Sequence, residues 1–576
     1  MASDAEGPRR PVRRSGGGSV RRDPTGRGGV DGRIRLLRLA FLVFMVIVGG
    51  KAVALASSSQ HLTRIALEQQ TAEVALPAHR GAILDRDGRK LAVGNPQQTV
   101  YATPYLLEDP AAAAADLCDA LRIRRRHERA VVRDALSDHE SGFAYVARKV
   151  DPQLARAAVA LGIPGVGSYA EEERAYPMRG SAAQVLGYAG MENTGLSGVE
   201  LVYDRQLAGV AGHETVVRDP AGRALRTVRE KDPVPGSDVW LTLDEDVQLA
   251  AENVLERAVR SCYAQAGIAI VMDPRSGEVL AMANVTKAGF HGFGVDPDSE
   301  RNRAVTDQYE PGSIFKLVTI SGALADGTIT PASRFTLPPT MTLYDVTIEE
   351  AHPRGTVDWD VGQILQWSSN VGAVTVGRLM GRSALLRWID AFGFGRPSGV
   401  GFPGDAPGSV PSADEWSGVS IVNIPMGQGI AVTPLQMADA FSTVANDGVA
   451  VRPRLVSRVG TKAIPASPGR RVIPASVARD VRRMLVAVVE KGTGTLARVP
   501  GYEVAGKTGT AQVVQTGGGY AKGVYEASFV GMAPADHPRL VVLVTLDRTP
   551  MSGGDAAAPA AQKIMRAALQ HLGIAP

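Results

Sequence analysis

Three kinds of hydrophobic patterning divide the chain. Near the N-terminus, Leu39 to Gly50 is an uncharged apolar run flanked by Arg38 and Lys51. It is shorter than the about 20 residues a membrane helix needs. Arg and Lys stems, however, reach the headgroups from positions inside a span, so Leu36 to Ala56 is long enough to cross. Elsewhere apolar residues recur at spacings of three and four. Such spacing predicts helices over Asp244 to Arg260, from near Ser313 through Leu324, within Val361 to Leu379, and over Ala556 to Leu572. The third pattern is the short continuous apolar run. Gly267 to Asp273 and Glu278 to Ala283 read as two strands, and Val504 to Val514, Ser528 to Ala533 and Leu540 to Leu546 as three more. Pro534 to Pro538 is of hairpin length, and strands with short links make an antiparallel sheet.

The patterning weakens between the apolar run and Pro233-Val234-Pro235-Gly236, which reads as a boundary. Residues 57–76 are expected to continue the first helix. Arg80 to Gly88 is expected to form a strand and turn, and Asp109-Pro110 to cap a helix through Leu121. The expected organisation is a disordered tail over 1–35, a transmembrane anchor over 36–56, one domain over 57–235, and an α+β domain over 236–576 built on an antiparallel sheet flanked by helices.

Charge changes the picture by its position. The net charge of +4 suggests a basic protein, but residues 1–38 hold ten arginines against four acids, which leaves −2 for the remainder. A general nucleic-acid surface loses its support. The Arg excess before the apolar run puts the N-terminus in the cytoplasm and the bulk of the chain outside. Ala54-Leu55-Ala56 resembles a signal-peptide cleavage site, but Lys51 interrupts the stretch before it, so an uncleaved anchor is favoured. Two cysteines, Cys118 and Cys262, exclude a disulfide scaffold and a Cys-based zinc site, and both are expected to be buried free thiols.

Candidate chemistry lies in three short motifs, each occurring once. In Ser313-Ile314-Phe315-Lys316 the i,i+3 spacing puts a hydroxyl and an amine on one helix face. For Lys316 to act as a base, burial or a second cation must lower its pKa from about 10.4. Ser368-Ser369-Asn370 interrupts a helical stretch, as a cap or turn does. Lys507-Thr508-Gly509-Thr510 opens a predicted strand and offers donors to a carboxylate. Gly501 to Thr508 also matches the phosphate-loop pattern G-x-x-x-x-G-K-[ST]. That loop needs a helix straight after Thr508, and the residues there read as strand, so the nucleotide reading is discarded. No H-E-x-x-H or G-x-S-x-G pattern appears, and neither a metal nor a cofactor is expected.

The order S-x-x-K, S-x-N, K-T-G resembles that of penicillin-binding proteins. The surroundings are similar to class B members. They include Asn302 to Gly312, Arg80-Gly81 through Asp85-Arg86, Gly198-Val199-Glu200 with Tyr203-Asp204, Gly427-Gln428-Gly429 with Thr433-Pro434, and Phe529-Val530-Gly531. The resemblance implies a penicillin-recognising transpeptidase domain on an N-terminal pedestal, with no cofactor. It implies Ser313 as nucleophile, Lys316 as base, Ser368 as proton relay and Asn370 as the substrate-amide ligand. Lys507 would be a tuning cation, and Thr508, Gly509 and Thr510 would line the carboxylate site. The backbone N–H groups of Ser313 and Thr510 would form the oxyanion hole. Implied partners are peptidoglycan stem peptides, β-lactams and a SEDS-family membrane glycosyltransferase. Gln69-Gln70 ahead of Ala78 to Gly81 is more similar to division-specific (FtsI-type) members, which implies work at the septum, with elongation as the alternative. A β-lactam sensor and a D,D-carboxypeptidase are more distant alternatives.

Overall fold

A computed structural model describes residues 28–218, 224–344, 346–515 and 519–576, with the backbone alone described at 28–31, 58–75, 218 and 224–227. The chain divides into two compact units. The first runs to Val74 and takes in Thr215–Val228. Its main element is a helix, Gly28–Gln70. Within it Gly32–Ser57 has a mean hydropathy of 2.4 and is long and apolar enough to cross a membrane. The helix starts inside the segment expected to be disordered, and the rest of that tail, residues 1–27, lies outside the described residues. It also stops earlier than expected. Residues 71–76 form a strand, as the β-branched Thr71 and Val74 favour once the helix ends at Gln70.

The second unit holds the remaining residues and is built on two large sheets, of five and seven strands, beside small two-stranded ones. The larger core surrounds a five-stranded antiparallel sheet. Its order is Val279–Thr286, Ala266–Met272, Leu540–Thr549, Tyr520–Ala533, Ala505–Val514. The central strand shows why the apolar runs were continuous. Leu540, Val542, Val544 and Leu546 pack on helices Glu245–Ser261 and Ala557–His571. Val541 and Leu543 face the opposite cluster, which includes helices Lys316–Ala325 and Ala475–Lys491. Both faces are covered, so no polar alternation survives. Each of these side chains contributes about 1.5–3 kcal/mol by burial. The Phe529 strand is longer than expected, since Tyr520–Ala527 extends the hairpin with Ala505–Val514.

The second sheet joins the N-terminal and C-terminal parts of this unit. Its strand Val239–Leu241 pairs in parallel with Ile83–Leu84 and antiparallel with Val456–Val459. Beside it, the scattered motif residues of the N-terminal part converge. Arg80, 4% exposed, donates to Glu200 Oε2 (2.8 Å), Asp204 Oδ1 (2.7 Å) and the carbonyl oxygens of Asn193 and Glu200. Arg174 Nε reaches the other Glu200 oxygen at 2.6 Å. Gly81 is required by close approach, because a Cβ there would lie 2.2 Å from the Ser237 carbonyl oxygen. Cys118 and Cys262 are buried and unpaired.

Candidate active site

The site sits where the first turn of the Lys316 helix meets the edge strand carrying Lys507. Ser313 lies on a 3-10 turn, Gly312–Phe315, that runs directly into helix Lys316–Ala325. The turn is wedged tightly. Gly312 has φ +54°, and a Cβ there would come within 3.1 Å of Ala511 on the Lys507 strand. Its N–H donates to the Gly427 carbonyl at 2.9 Å, and Gly427 itself has φ +87°. Glu310 accepts from Gly429 N (2.8 Å) and Tyr520 Oη (3.0 Å), which ties the approach to Ser313 to the same loop and to the edge hairpin.

Ser368 joins helices Val361–Gln366 and Asn370–Met380. Its φ of +59° is left-handed, which a serine adopts only when its surroundings hold it there. Ser369 is the N-cap of the second helix and accepts from Gly372 N at 2.9 Å. The Ser-Ser-Asn cluster is therefore a turn and cap at the junction of two helices.

The three motifs meet through their side chains. Lys316 Nζ donates to the Ser368 carbonyl (2.5 Å), to Asn370 Oδ1 (2.8 Å) and, at 3.4 Å, to Ser368 Oγ. Lys507 Nζ donates to Ser368 Oγ at 2.8 Å and to the Thr508 carbonyl at 3.0 Å. One buried hydroxyl thus lies between two fully buried amines. The amine of Lys316 is held by Ser368 and Asn370, not by Ser313, which is half-buried one turn away.

Burial dominates the electrostatics. It pushes the Lys316 amine down to about 7, against an opposing pull from the negative charge of Glu350. Lys507 is also lowered, first by burial and then by the charge of Lys316. The two amines, joined through Ser368 Oγ, repel one another, so the charge on either disfavours the charge on the other. Burial is the largest cause for both, and no carboxylate among the described residues pairs with Lys507.

On the edge strand, Thr508 Oγ1 shares a 2.6 Å hydrogen bond with Thr493 Oγ1, and Thr510 Oγ1 accepts from Gly553 N at 3.0 Å. Gly509 has no room for a side chain, since a Cβ would sit 2.3 Å from Ser528 Oγ and 3.1 Å from the Pro311 carbonyl. The phosphate-loop alternative has no place here, because Ala505–Val514 is a strand throughout. Two neighbours went unnoticed in the sequence. Thr493 sits in a Gly-Thr-Gly-Thr turn whose chemistry was unremarkable, and Glu350 carries no motif at all.

The chain matches the penicillin-binding protein transpeptidase domain over residues 267–566 and the penicillin-binding protein dimerisation domain over residues 75–241. It is 34% identical over 516 residues to the probable peptidoglycan D,D-transpeptidase PbpC of Pseudomonas aeruginosa, covering 88% of each chain. It is 32% identical to the peptidoglycan D,D-transpeptidase FtsI of Escherichia coli, covering 86% of this chain and 84% of that one. A crystal structure of penicillin-binding protein 3 from Mycobacterium tuberculosis, complexed with aztreonam, superposes with a TM-score of 0.69 at 30% identity. That match covers 87% of this chain and 98% of the other. The fold and site thus define a penicillin-binding transpeptidase. The chain belongs to the class B penicillin-binding proteins.

Proposed function

We propose that this chain cross-links peptidoglycan stem peptides through an acyl-enzyme on Ser313. The observation that carries this reading is the contact chain Lys316–Ser368–Lys507, two buried amines joined through one hydroxyl. Ser313 Oγ attacks the carbonyl of the penultimate D-Ala, and the neutral form of Lys316, about half of the amine at pH 7, takes its proton. The backbone N–H groups of Ser313 and Thr510 receive the oxyanion. The proton then passes through Ser368 Oγ to the departing D-Ala nitrogen, and the C–N bond breaks. An amine from a second stem peptide attacks the ester, returns its proton by the same route, and releases Ser313. Asn370 binds the substrate amide, and Lys507, Thr508 and Thr510 flank Gly509 at the terminal carboxylate. An arriving carboxylate raises the pKa of Lys507 and so favours its charged form. β-Lactams acylate the same serine.

Residues 57–235 serve as the pedestal and 236–576 as the catalytic domain, whose strand Val239–Leu241 pairs with Ile83–Leu84 of the pedestal. The Arg-rich start places the N-terminus in the cytoplasm and Ser313 outside, on a single-pass anchor in a bacterial membrane. Gln69-Gln70 and the likeness to FtsI favour the septum and a SEDS-family polymerase as partner. Depletion should give filaments, whereas rounded cells would indicate elongation. The chemistry is tested with a stem pentapeptide and an amine acceptor. D-Ala release with formation of the cross-linked product is expected, and both should vanish in Ser313→Ala.

A further inference from the structure

Glu350 stands outside the three motifs yet binds two residues of one of them. Its side chain is 6% exposed. Oε1 accepts from Ser369 Oγ (2.6 Å) and from Arg354 Nη2 (2.5 Å), and Oε2 accepts from Asn370 N (2.7 Å). The preceding carbonyl, of Glu349, accepts from Asn370 Nδ2 at 2.8 Å. That contact fixes the Asn370 amide with Oδ1 towards Lys316 Nζ. Ser369 and Glu350 together satisfy two N–H groups at the start of helix Asn370–Met380, where a negative charge is favoured. They also fix the chain directly after Ser368, whose left-handed backbone needs such support.

The same carboxylate acts on Lys316 by charge. The titratable groups around that amine are Glu350, from the segment after strand Val346–Glu349, and Lys507, from the edge strand. Arg354 backs Glu350 and is itself fixed by the Leu337 and Gly355 carbonyls and the Trp359 ring. Glu350 opposes the effect of burial on Lys316.

We propose that Glu350 is a positioning residue for acylation: it holds the Ser368–Asn370 turn against Lys316, and its negative charge keeps that amine basic enough to take the serine proton. This rests on the acyl-serine reading above. The test is the acylation rate of the full chain by fluorescent penicillin across the pH range, with melting curves to check folding. In Glu350→Gln the acid limb of the profile should move down by about one pH unit, the lower end of the shift that a nearby opposite charge produces. The plateau should fall about tenfold as the turn loosens. Glu350→Asp should keep the wild-type limb and lose only plateau rate. Arg354→Gln, which unshields Glu350, should move the limb up and reads the same field if Glu350→Gln does not fold. An unmoved limb in Glu350→Gln, or in Arg354→Gln where the first variant is unfolded, would overturn the proposal. So would an equal shift in the Gln and Asp variants. Ser313→Ala separates the two readings: labelling of that variant would sink the acyl-serine chemistry itself, whereas its silence beside an unmoved limb sinks only the role of Glu350.

Discussion

The burial of Lys316 makes a quantitative prediction for catalysis in mild acid. A lysine at its ordinary value of 10.5 would be neutral in only about three molecules per ten thousand at pH 7, whereas burial to about 7 leaves half of them neutral. The gain in competent base is about a thousandfold. Because the pKa is depressed, the neutral form is lost as pH falls through about 7 and is nearly complete a unit above it. At about pH 5.5 about 3% remains neutral, so acylation should run about thirtyfold slower than on the alkaline plateau. Stopped-flow measurement of the second-order rate with fluorescent penicillin over this range checks it. The expected profile has unit slope below a single midpoint near 7. A flat profile between about pH 5.5 and about pH 8, or a midpoint near the ordinary lysine value, would refute Lys316 as the buried base. The shift also has a cost in stability: at pH below 7 the fold forgoes about 5 kcal/mol that a solvated lysine would not withhold, and it regains this as pH rises towards 10.5.

Other perturbations follow from the packing. Arg80→Ala leaves Glu200, which is fully buried, with Arg174 as its remaining cation. It should cost about 3 kcal/mol, read as a lower urea midpoint, and a loss below about 1 kcal/mol would contradict the structural role of the cluster. Gly509→Ala must push Ser528 Oγ and the Pro311 carbonyl aside. It should lower the melting temperature by an overpacking cost of about 1–3 kcal/mol and slow acylation, whereas wild-type kinetics would show that the strand and the Ser313 turn are not held in register by this glycine. Thr493→Val removes the partner of the Thr508 hydroxyl. It should weaken substrate binding by about fivefold to tenfold, as for one lost neutral hydrogen bond, with little change in the rate of the chemical step.

Much of this was legible in the sequence because the features were local or periodic. The S-x-x-K spacing specifies a shared helix face without reference to the rest of the fold. The continuous apolar runs marked the strands of the sheet, and Leu540–Thr549 sends alternate residues into two cores. The helix expected through residue 76 instead ended at Gln70, because sheet pairing decides the fate of the following strand and leaves no local mark. How far the two lysines are buried was not legible, because the sequence supplies both residues but not their surroundings, and burial is the largest cause of both shifts. Glu350 was invisible for the same reason: its importance lies in contacts made across 19 and 20 residues of chain, to Ser369 Oγ and Asn370 N.

The central claim is that Ser313 is acylated, and intact-mass analysis of the full chain after incubation with a β-lactam tests it most directly. The account predicts one adduct of the mass of the opened β-lactam, mapped by proteolysis to the peptide containing Ser313, and none in Ser313→Ala. An adduct that persists in Ser313→Ala, or that maps to Ser368 or Lys316, would contradict it.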